Sequence, residues 1–307
     1  MPFEIKILGS NSATPVFNRH HSSQLITVNN QLFLIDCGEG TQLQLIKYKV
    51  RLTKINYIFI SHLHGDHYLG LVGLLSTMHL NGRTKDLYLF GPPGLDEIIT
   101  IQLKYSETFL NFKIIFTELD TTAIKVILEL DNLTVETIPL IHRIKCCGFL
   151  IREKPKKRKI DKSKIPAHLT PLQIIALKEG EDIVDKDGNL LKSDQCTTPA
   201  KRSRSYAYCS DTAYNPAMFQ QIEGVDVLYH EATFLHDMES RAVVTYHSTA
   251  LQAALTAKEA NVRTLLLGHF SARYKDLEPH LSEAKTIFPN SFLAEEGLVF
   301  KIDDEPL

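Results

Sequence analysis

The chain has 307 residues, of which 44% are hydrophobic and 23% are charged, and its formal net charge is −2 at pH 7. This length suffices for one large domain or two ordinary ones with a substantial core. The balanced charge excludes a protein that binds nucleic acid through its overall charge, so any such affinity must be local. The N-terminal sequence does not resemble a signal peptide, and no apolar run reaches membrane-spanning length. We therefore expect a soluble, cytoplasmic protein.

The cysteines support the same compartment. Their number is odd and two of them are adjacent, which is a poor basis for a disulfide framework. We expect reduced thiols, most of them buried as small apolar residues, at Cys37, Cys146, Cys147, Cys196 and Cys209.

The first half of the chain is predicted to be rich in strands. Alternating or short apolar runs predict strands at 3–9, 24–29, 31–36, 55–60, 87–90, 112–117, 123–130, 133–138 and 148–151. Residues 9–23 are dense in Ser, Thr, Asn and Pro and predict a loop, and Asn29-Asn30 predicts a hairpin turn. Helices are expected at 41–50, 68–80 and 95–105.

A basic segment interrupts the chain after residue 151. Residues 152–164 hold eight basic and two acidic side chains, a net charge of +6, which leaves −8 for the remainder. A short helix is expected at 172–178, and residues 180–205 are polar and rich in turns. We predict that 152–204 is an insertion that projects from the domain, with its basic part near the tip. A solvated loop without a partner is the alternative, since that is the usual role of a run of like charges.

The second half repeats the pattern of strands with interspersed helices. Strands are expected at 205–209, 225–230, 262–267, 291–294 and 298–302, with a helical turn at 215–221 and helices at 251–260 and 278–287. Thr249 and Gln252 form a capping-box pattern before the first of these helices. Two strand-rich halves flanking one insertion suggest a single domain over 1–307, built from two packed sheets with outer helices.

A cluster of metal-ligand residues follows the apolar strand at 55–60. In the stretch Ser61-His62-Leu63-His64-Gly65-Asp66-His67, three imidazoles and one carboxylate fall within six positions. These groups are natural ligands for zinc or a similar divalent ion. Gly65 permits a tight turn that lets ligands on both sides converge. A histidine-rich surface loop is the alternative, and this spacing directly behind a strand argues against it.

Three further predicted strands are followed by ligand-type residues. These residues are His142, Asp211 and His269, and none of them alone would indicate a metal site. Seven ligands are too many for one tetrahedral zinc ion, but they suit two ions that share a carboxylate. We expect His62, His64 and His142 on one ion and Asp66, His67 and His269 on the other, with Asp211 as the bridge.

The sequence His62-Leu63-His64-Gly65-Asp66-His67 resembles the signature of the metallo-β-lactamase superfamily. Within it, the chain looks like ribonuclease Z, the tRNA 3′-processing endonuclease family. The motifs His230-Glu231-Ala232-Thr233 and His247-Ser248-Thr249 match, and so does the N-terminal pattern Gly9, Thr14-Pro15, Arg19 and Ser22-Ser23. The resemblance covers essentially the whole chain. His20 departs from it, where the family often has Asn, and the insertion lacks the Gly-Pro-rich stretch common in the family.

The resemblance implies a fold and an activity. The fold is an αβ/βα sandwich of two mixed sheets, an α/β architecture with four layers, and the insertion at 152–204 corresponds to a flexible arm that grips tRNA. The activity is zinc-dependent removal of the 3′ trailer from precursor tRNA, with two zinc ions per chain. The products would be a tRNA 3′-hydroxyl and a trailer 5′-phosphate. Homodimers are also implied.

Catalytic roles follow from this chemistry. Asp66 could serve both as metal ligand and as proton acceptor, while His247 would protonate the leaving oxygen and Glu231 would orient it. An ordinary buried ion pair is the alternative for the last two. Phosphate groups of precursor tRNA would meet basic residues near the scissile end and in the arm, namely Arg19, Lys154, Lys156, Lys157, Arg158 and Lys159.

Two other functions remain open from the sequence. A generic dinuclear-zinc hydrolase of small esters or phosphodiesters would use the same ligands, but it has no need of a basic arm. A non-catalytic RNA-binding protein on this fold would be expected to lose ligands, whereas all seven are present here.

Overall fold

A computed structural model describes residues 2–304 of the chain, so the outermost ends of the predicted 1–307 domain lie outside the described residues. Nine helices are described within this range: α1 (Thr41–Lys47), α2 (Gly65–Tyr68), α3 (Leu71–Leu80), α4 (Leu95–Tyr105), α5 (Pro171–Glu179), α6 (Ser193–Cys196), α7 (Glu239–Thr245), α8 (Ala250–Glu259) and α9 (Glu278–Lys285). Short 3₁₀ turns occur at Leu52–Lys54, Pro216–Met218 and His236–Met238.

The strands within residues 2–304 are, in chain order, β1 (Phe3–Gly9), β2 (Ser23–Val28), β3 (Gln31–Ile35), β4 (Ile55–Phe59), β5 (Leu87–Gly91), β6 (Ile114–Glu118), β7 (Val126–Glu129), β8 (Leu133–Pro139), β9 (Cys147–Glu153), β10 (Lys159–Ile160), β11 (Ile183–Val184), β12 (Leu190–Leu191), β13 (Thr197–Thr198), β14 (Ser205–Cys209), β15 (Val227–Glu231), β16 (Thr264–Gly268), β17 (Ser291–Leu293) and β18 (Val299–Lys301).

Two seven-stranded mixed sheets organise these strands. The first has the order β18-β1-β2-β3-β4-β5-β6, and the second has the order β17-β16-β15-β14-β9-β8-β7. Strands β3 to β6 run parallel to one another, as do β14 to β17. The carboxyl ends of the central strands therefore gather at one edge of each sheet, where open parallel sheets bind their ligands.

Apolar side chains form three layers, because alternate residues of a strand point to opposite faces. One cluster lies between the sheets and includes Phe59 and Tyr229 from their central strands. A second packs the outer face of the first sheet against α1, α3 and α4, and Ile58 belongs to it. The third packs the outer face of the second sheet against α8 and α9, and it contains Leu228. This arrangement confirms the predicted αβ/βα sandwich.

Most predicted elements are present, with shifted ends. The hairpin turn is confirmed, since Asn29 and Asn30 adopt φ of 50° and 68°. The capping box is confirmed, since Thr249 and Gln252 bond each other reciprocally at the start of α8. The helix predicted at 68–80 starts later, at Leu71. The helix α7 was missed, although the candidate site depends on the residues that follow it.

The segment between β9 and β14, residues 154–204, is called the arm below. Its small strands pair only with one another, β10 with β13 and β11 with β12. An apolar cluster of its own, centred on the buried Leu177, packs α5 against these strands. The predicted start at 152 is two residues early, because β9 continues to Glu153.

The expectation that the basic residues lie near the tip of the arm is wrong for their first members. The Lys154 amide donates to Asn132 O at 2.9 Å, and Lys156 Nζ lies 2.7 Å from Asp304 Oδ1 in the C-terminal segment. Both contacts belong to the base of the arm, where the chain leaves β9. The basic run therefore begins at the stem and passes into the arm only from Arg158, whose Nε donates to Thr197.

Candidate metal centre

The seven predicted ligands meet at the carboxyl ends of strands from both sheets. His62, His64, Asp66 and His67 follow β4 in the first sheet. The other three follow strands of the second sheet, His142 after β8, Asp211 after β14 and His269 after β16. The sequence thus supplies the cluster from four separate stretches, and the sandwich brings them to one point between the sheets.

The first group of ligand atoms surrounds one oxygen of Asp211. His64 Nδ1 lies 3.1 Å from His62 Nε2 and 3.1 Å from His142 Nε2. The Asp211 Oδ2 atom lies 3.5 Å from His62 Nε2 and 3.8 Å from His142 Nε2. These four residues each present one ligand atom within 4.8 Å of the others. The set equals the first predicted group with its bridging carboxylate.

The second group surrounds the other oxygen of the same carboxylate. The Asp211 Oδ1 atom lies 3.3 Å from His67 Nε2 and 3.1 Å from His269 Nε2. Asp66 Oδ2 completes the group, at 3.4 Å from His67 Nε2 and 3.3 Å from His269 Nε2. One carboxylate thus faces both groups, each through a different oxygen.

Hydrogen bonds behind the cluster fix the histidine rings. In each of three ligand histidines, Nδ1 points away from the cluster and has a hydrogen-bond partner. The distance is 3.0 Å from His62 Nδ1 to Ser61 Oγ, 2.9 Å from His269 Nδ1 to Thr233 Oγ1, and 3.0 Å from His142 Nδ1 to the Tyr246 carbonyl. A carbonyl can only accept, so Nδ1 of His142 carries its proton and Nε2 is free to bind a cation. Such partners orient ligands and raise their basicity.

Asp36 supports the second group and was not singled out from the sequence. It is fully buried after β3 with a φ of 54°, and its Oδ2 lies 2.8 Å from His67 Nδ1. Ser61 donates its amide to Oδ1 at 2.7 Å, and Tyr208 donates its hydroxyl to Oδ2 at 2.7 Å. The carboxylate therefore fixes the His67 ring, with the proton on Nδ1 directed to Asp36 and with Nε2 facing the cluster.

The electrostatics of the cluster suit cations. Burial and the neighbouring His67 lower the pKa of His62 to about 4, so its imidazole is neutral at pH 7. Burial alone would lower the pKa of His67, yet the carboxylates of Asp211, Asp66 and Asp36 raise it well above its ordinary value. Three buried carboxylates in one place require positive charge beside them.

One atom passes a direct test of whether metal ions fit. Asp211 Oδ1 is buried and accepts no hydrogen bond from any of residues 2–304. Buried polar atoms are otherwise nearly always satisfied, so an orphan here needs an explanation. A divalent cation between this oxygen and the imidazoles of His67 and His269 would satisfy it with the donor set that zinc prefers.

His247 and Glu231 form a buried pair beside the cluster. His247 Nδ1 lies 2.8 Å from Glu231 Oε1, and Glu231 also accepts from Thr212 N, Thr233 N and Thr233 Oγ1. The His247 ring is 5.3 Å from the His142 ring and 5.4 Å from the His269 ring, centre to centre. Burial alone would lower the pKa of His247, but the Glu231 carboxylate holds it at about 9. The imidazole is therefore a proton carrier next to the ligand groups.

The sequence has close relatives among known proteins. The chain is 55% identical to ribonuclease Z of Cytophaga hutchinsonii over 306 residues, which cover 99% of this chain and 97% of that protein. Identity to ribonuclease Z of Bacteroides fragilis is 46% over 301 residues, 98% of this chain and 99% of that one. The chain belongs to the ribonuclease Z family. A family model described as Anti-Pycsar protein Apyc1 also matches residues 3–161, so that part of the chain belongs to this family of domains as well.

Solved structures agree with the metallo-β-lactamase fold of the ribonuclease Z family. Human tRNase Z, short form, superposes with a TM-score of 0.72 at 24% identity, covering 98% of this chain and 99% of that one. The metallo-β-lactamase fold protein YhfI from Bacillus subtilis gives a TM-score of 0.69 at 21% identity, with 98% and 99% covered.

The ligand groups of this ribonuclease Z family member lie on the wall of an open cavity of about 920 Å³. Three arginines that sequence reasoning missed line it, Arg143, Arg241 and Arg273, and all are exposed. Arg143 Nη2 lies 3.0 Å from His64 Nε2, and no ion pair within residues 2–304 includes any of the three. No sequence motif marks them, because they reach the cavity from separate loops and from α7.

The predicted RNA-binding residues are placed differently. Arg19 donates to Asn11 Oδ1 at 3.0 Å and to two carbonyls of residues 274–275, so it ties two loops together behind the cavity wall. Four arm residues have carboxylate or hydroxyl partners: Lys154 with Glu129, Lys156 with Glu153 and Asp304, Lys157 with Glu179, and Arg158 with Thr197. Lys159 is exposed on β10.

Two wider expectations can also be compared with the structure. All five cysteines are free and buried, as predicted. Across residues 2–304, none of the helices has the length and apolar character that crossing a bilayer requires.

Proposed function

We propose that this protein is the endoribonuclease that removes the 3′ trailer from precursor tRNA. The observation that carries the proposal is full-length identity of 55% to a ribonuclease Z, in a chain that retains all seven ligand-type residues in two adjoining groups. The cleavage leaves a 3′-hydroxyl on the tRNA and a 5′-phosphate on the trailer. A generic hydrolase of small phosphodiesters is the alternative.

Two zinc ions per chain would complete the proposed centre. His62, His64 and His142 would hold one, Asp66, His67 and His269 would hold the other, and Asp211 would serve both. The proposal is supported by the orphaned Asp211 Oδ1 and by the imidazole and carboxylate donors around it. When bound, the ions would lower the pKa of a nearby water and neutralise developing charge on phosphate oxygens.

The protein's own groups then manage the protons. The Asp66 carboxylate, at the cavity wall, accepts a proton from the attacking water. Because the pKa of His247 is about 9, both ring nitrogens carry a proton at pH 7. Nδ1 donates its proton to Glu231 at 2.8 Å, and Nε2 donates its proton to the leaving O3′. Glu231 accepts one hydrogen bond from the His247 ring and three from Thr212 and Thr233. These three hold the carboxylate in place, so Glu231 acts as a positioning residue for His247.

Arginines in the cavity support a substrate with a phosphate backbone. Arg143, Arg241 and Arg273 stand around the ligand groups without carboxylate partners in the described part of the chain, so they are available to phosphates on either side of the scissile bond. If His64 binds metal through Nδ1, its Nε2 carries the proton and no longer accepts from Arg143. Arg143 is then released toward the cavity.

The arm is proposed to hold tRNA at a distance from the cleavage site. Its basic residues Lys154, Lys156, Lys157, Arg158 and Lys159 would bind phosphates, and Lys154 and Lys157 would exchange exposed carboxylate partners for them. Exposed ion pairs are worth about 1 kcal/mol or less, so such an exchange is inexpensive. The arm has its own apolar cluster around Leu177, which supports an arm that keeps its shape while the rest of the domain binds the scissile end of the tRNA.

Homodimers and a cytoplasmic location complete the proposal. Exposed apolar side chains at the ends of α3 and α4 support self-association, with 80% of Leu80, 82% of Tyr105 and 84% of Phe109 accessible. Light scattering of the wild type and of a Tyr105→Ser, Phe109→Ser variant would test the dimer. The five free cysteines support a reducing compartment.

A 5′-labelled precursor tRNA with a 3′ trailer tests the main proposal. The zinc-loaded wild type is expected to cut once at the tRNA–trailer junction, Asp66→Ala is expected to be inactive, and the surface control Asp120→Ala is expected to be unchanged. Ligation of the tRNA product tests for its 3′-hydroxyl. An intact precursor, with rapid turnover of bis(p-nitrophenyl) phosphate, would instead establish the small-phosphodiester hydrolase.

A further inference from the structure

Tyr246 adopts a backbone conformation that a tyrosine rarely occupies. It follows the last residue of α7 with φ of 57° and ψ of 48°, and its amide bonds back to Ala242 O and Val243 O. A left-handed residue after a helix is usually glycine, because a side chain there is strained. Strain of this kind is retained where the surroundings or the function require it.

The backbone role of this residue does not explain the tyrosine. The Tyr246 carbonyl lies 3.0 Å from His142 Nδ1 and so fixes a ligand-type histidine. Glycine would present the same carbonyl from the same conformation with less strain. The phenol side chain must therefore be retained for a different reason.

The side chain is only partly covered within the described residues. Tyr246 is 42% exposed and lines the cavity, and no ring contact or hydroxyl hydrogen bond from residues 2–304 engages it. Val244 and Leu69 line the same cavity with 70% and 56% of their surfaces accessible. An apolar strip thus stands beside the ligand groups, in a cavity whose other prominent side chains are histidines, carboxylates and arginines.

We infer that the Tyr246 ring is a stacking platform for a nucleobase adjacent to the scissile phosphate. The inference rests on the proposed function and names a binding residue for it. Every nucleobase has a flat apolar face, and aromatic side chains bind it by stacking. Arg241, one turn earlier along α7 and on the same cavity, is placed to contact the phosphate of that nucleotide.

Three substitutions separate the ring from the backbone. Tyr246→Phe keeps the ring, whereas Tyr246→Asn and Tyr246→Gly remove it and suit the left-handed conformation. For precursor tRNA, loss of the ring is expected to raise KM about 5- to 150-fold, and Phe is expected to change it less than about twofold. Zinc content and melting temperature should be unchanged in all three, since each variant keeps the backbone carbonyl that fixes His142.

A substrate change tests the same contact from the other side. Precursor tRNAs with an abasic residue immediately 5′ or immediately 3′ of the cut are compared with the intact precursor. In the wild type, one of the two abasic substrates should show the rise in KM seen with Tyr246→Gly. In Tyr246→Gly that same substrate should show no further rise, because the partner is already missing.

The outcomes keep the two proposals distinct. A wild type that does not cut precursor tRNA refutes the proposed function itself. If the wild type cuts but both abasic effects remain full in Tyr246→Gly, the stacking inference is wrong. If Tyr246→Gly and Tyr246→Asn also lose zinc or melt at lower temperature, the ring has a structural role and the inference is likewise overturned.

Discussion

Replacing Asp36 with Asn should weaken metal binding although Asp36 is not among the proposed ligands. Asp36 accepts four hydrogen bonds, from Ser61 N, Ser61 Oγ, Tyr208 OH and His67 Nδ1, at 2.7 to 2.9 Å. An Asn amide has only one acceptor oxygen. If that oxygen keeps the Ser61 amide, the NH₂ group replaces Oδ2 and faces the donors of Tyr208 and His67.

The magnitude follows from the tautomer of His67. To accept from the new NH₂ group, Nδ1 must lose its proton, and Nε2 then carries a proton where the ion should bind. If Nδ1 keeps its proton, two donors face each other in a fully buried place. Loss of such an outer partner lowers metal affinity about 10- to 100-fold, which corresponds to about 1.4 to 2.8 kcal/mol. The ion between Asp66, His67 and His269 should be weakened more than the other.

Competition with a chromogenic zinc chelator measures both sites, and elemental analysis counts ions per chain at fixed free zinc. Asp226→Asn is the matched control, because Asp226 is also a buried carboxylate and accepts a hydrogen bond from Ser205 N at 2.8 Å. It precedes β15, at the end of that strand that lies away from the ligand groups. It should lose stability without losing zinc affinity. Wild-type zinc affinity at both sites of Asp36→Asn would refute the reasoning, as would an equal loss in the control.

Three further outcomes are expected. His247→Ala and Glu231→Gln should each lower kcat for precursor tRNA, His247→Ala by about 10²- to 10⁴-fold, and the double variant should be no worse than His247→Ala alone; additive losses would contradict a shared role. The three cavity arginines are Arg143, Arg241 and Arg273. Changing any one of them to Gln should reduce the slope of log affinity for precursor tRNA against log salt concentration by about one, whereas the exposed control Arg51→Gln should leave the slope unchanged. Replacing 157–200 by a Gly-Ser linker, which keeps the Lys156 and Arg202 ion pairs at the arm's base, should spare phosphodiester turnover and abolish tRNA cleavage; retained tRNA cleavage would leave the arm without the proposed role.

The metal cluster could be predicted from sequence because each ligand lies within a few residues after the end of an apolar strand. Strand ends converge in parallel sheets, so the position after a strand already carries spatial information. Asp211 was assigned to both groups of ligands because seven ligands are too many for one tetrahedral zinc ion and suit two ions that share a carboxylate. The same reasoning passed over Asp36, which was predicted as the last residue of the strand at 31–36.

Some intramolecular partners could not be predicted because they lie far away in the sequence. Arg19 donates to carbonyls more than 250 residues later. Lys156 is paired with Asp304. The helix α7 was missed because Val243 and Val244 are exposed, so its apolar residues do not form one buried face.

The division of the cluster between the two sheets has a consequence for the lifetime of the protein in the cell. Four of the seven ligand residues lie in 62–67 and three lie in 142–269, so bound ions join the ends of two separately built layers. Ligands that bind only the folded state add about 4.1 kcal/mol of stability at a thousandfold excess over their Kd. When zinc is scarce, the two layers lose this cross-link, and the unfolded fraction exposed to proteases rises. Zinc supply would therefore set how much of the enzyme survives, as well as how fast each molecule works.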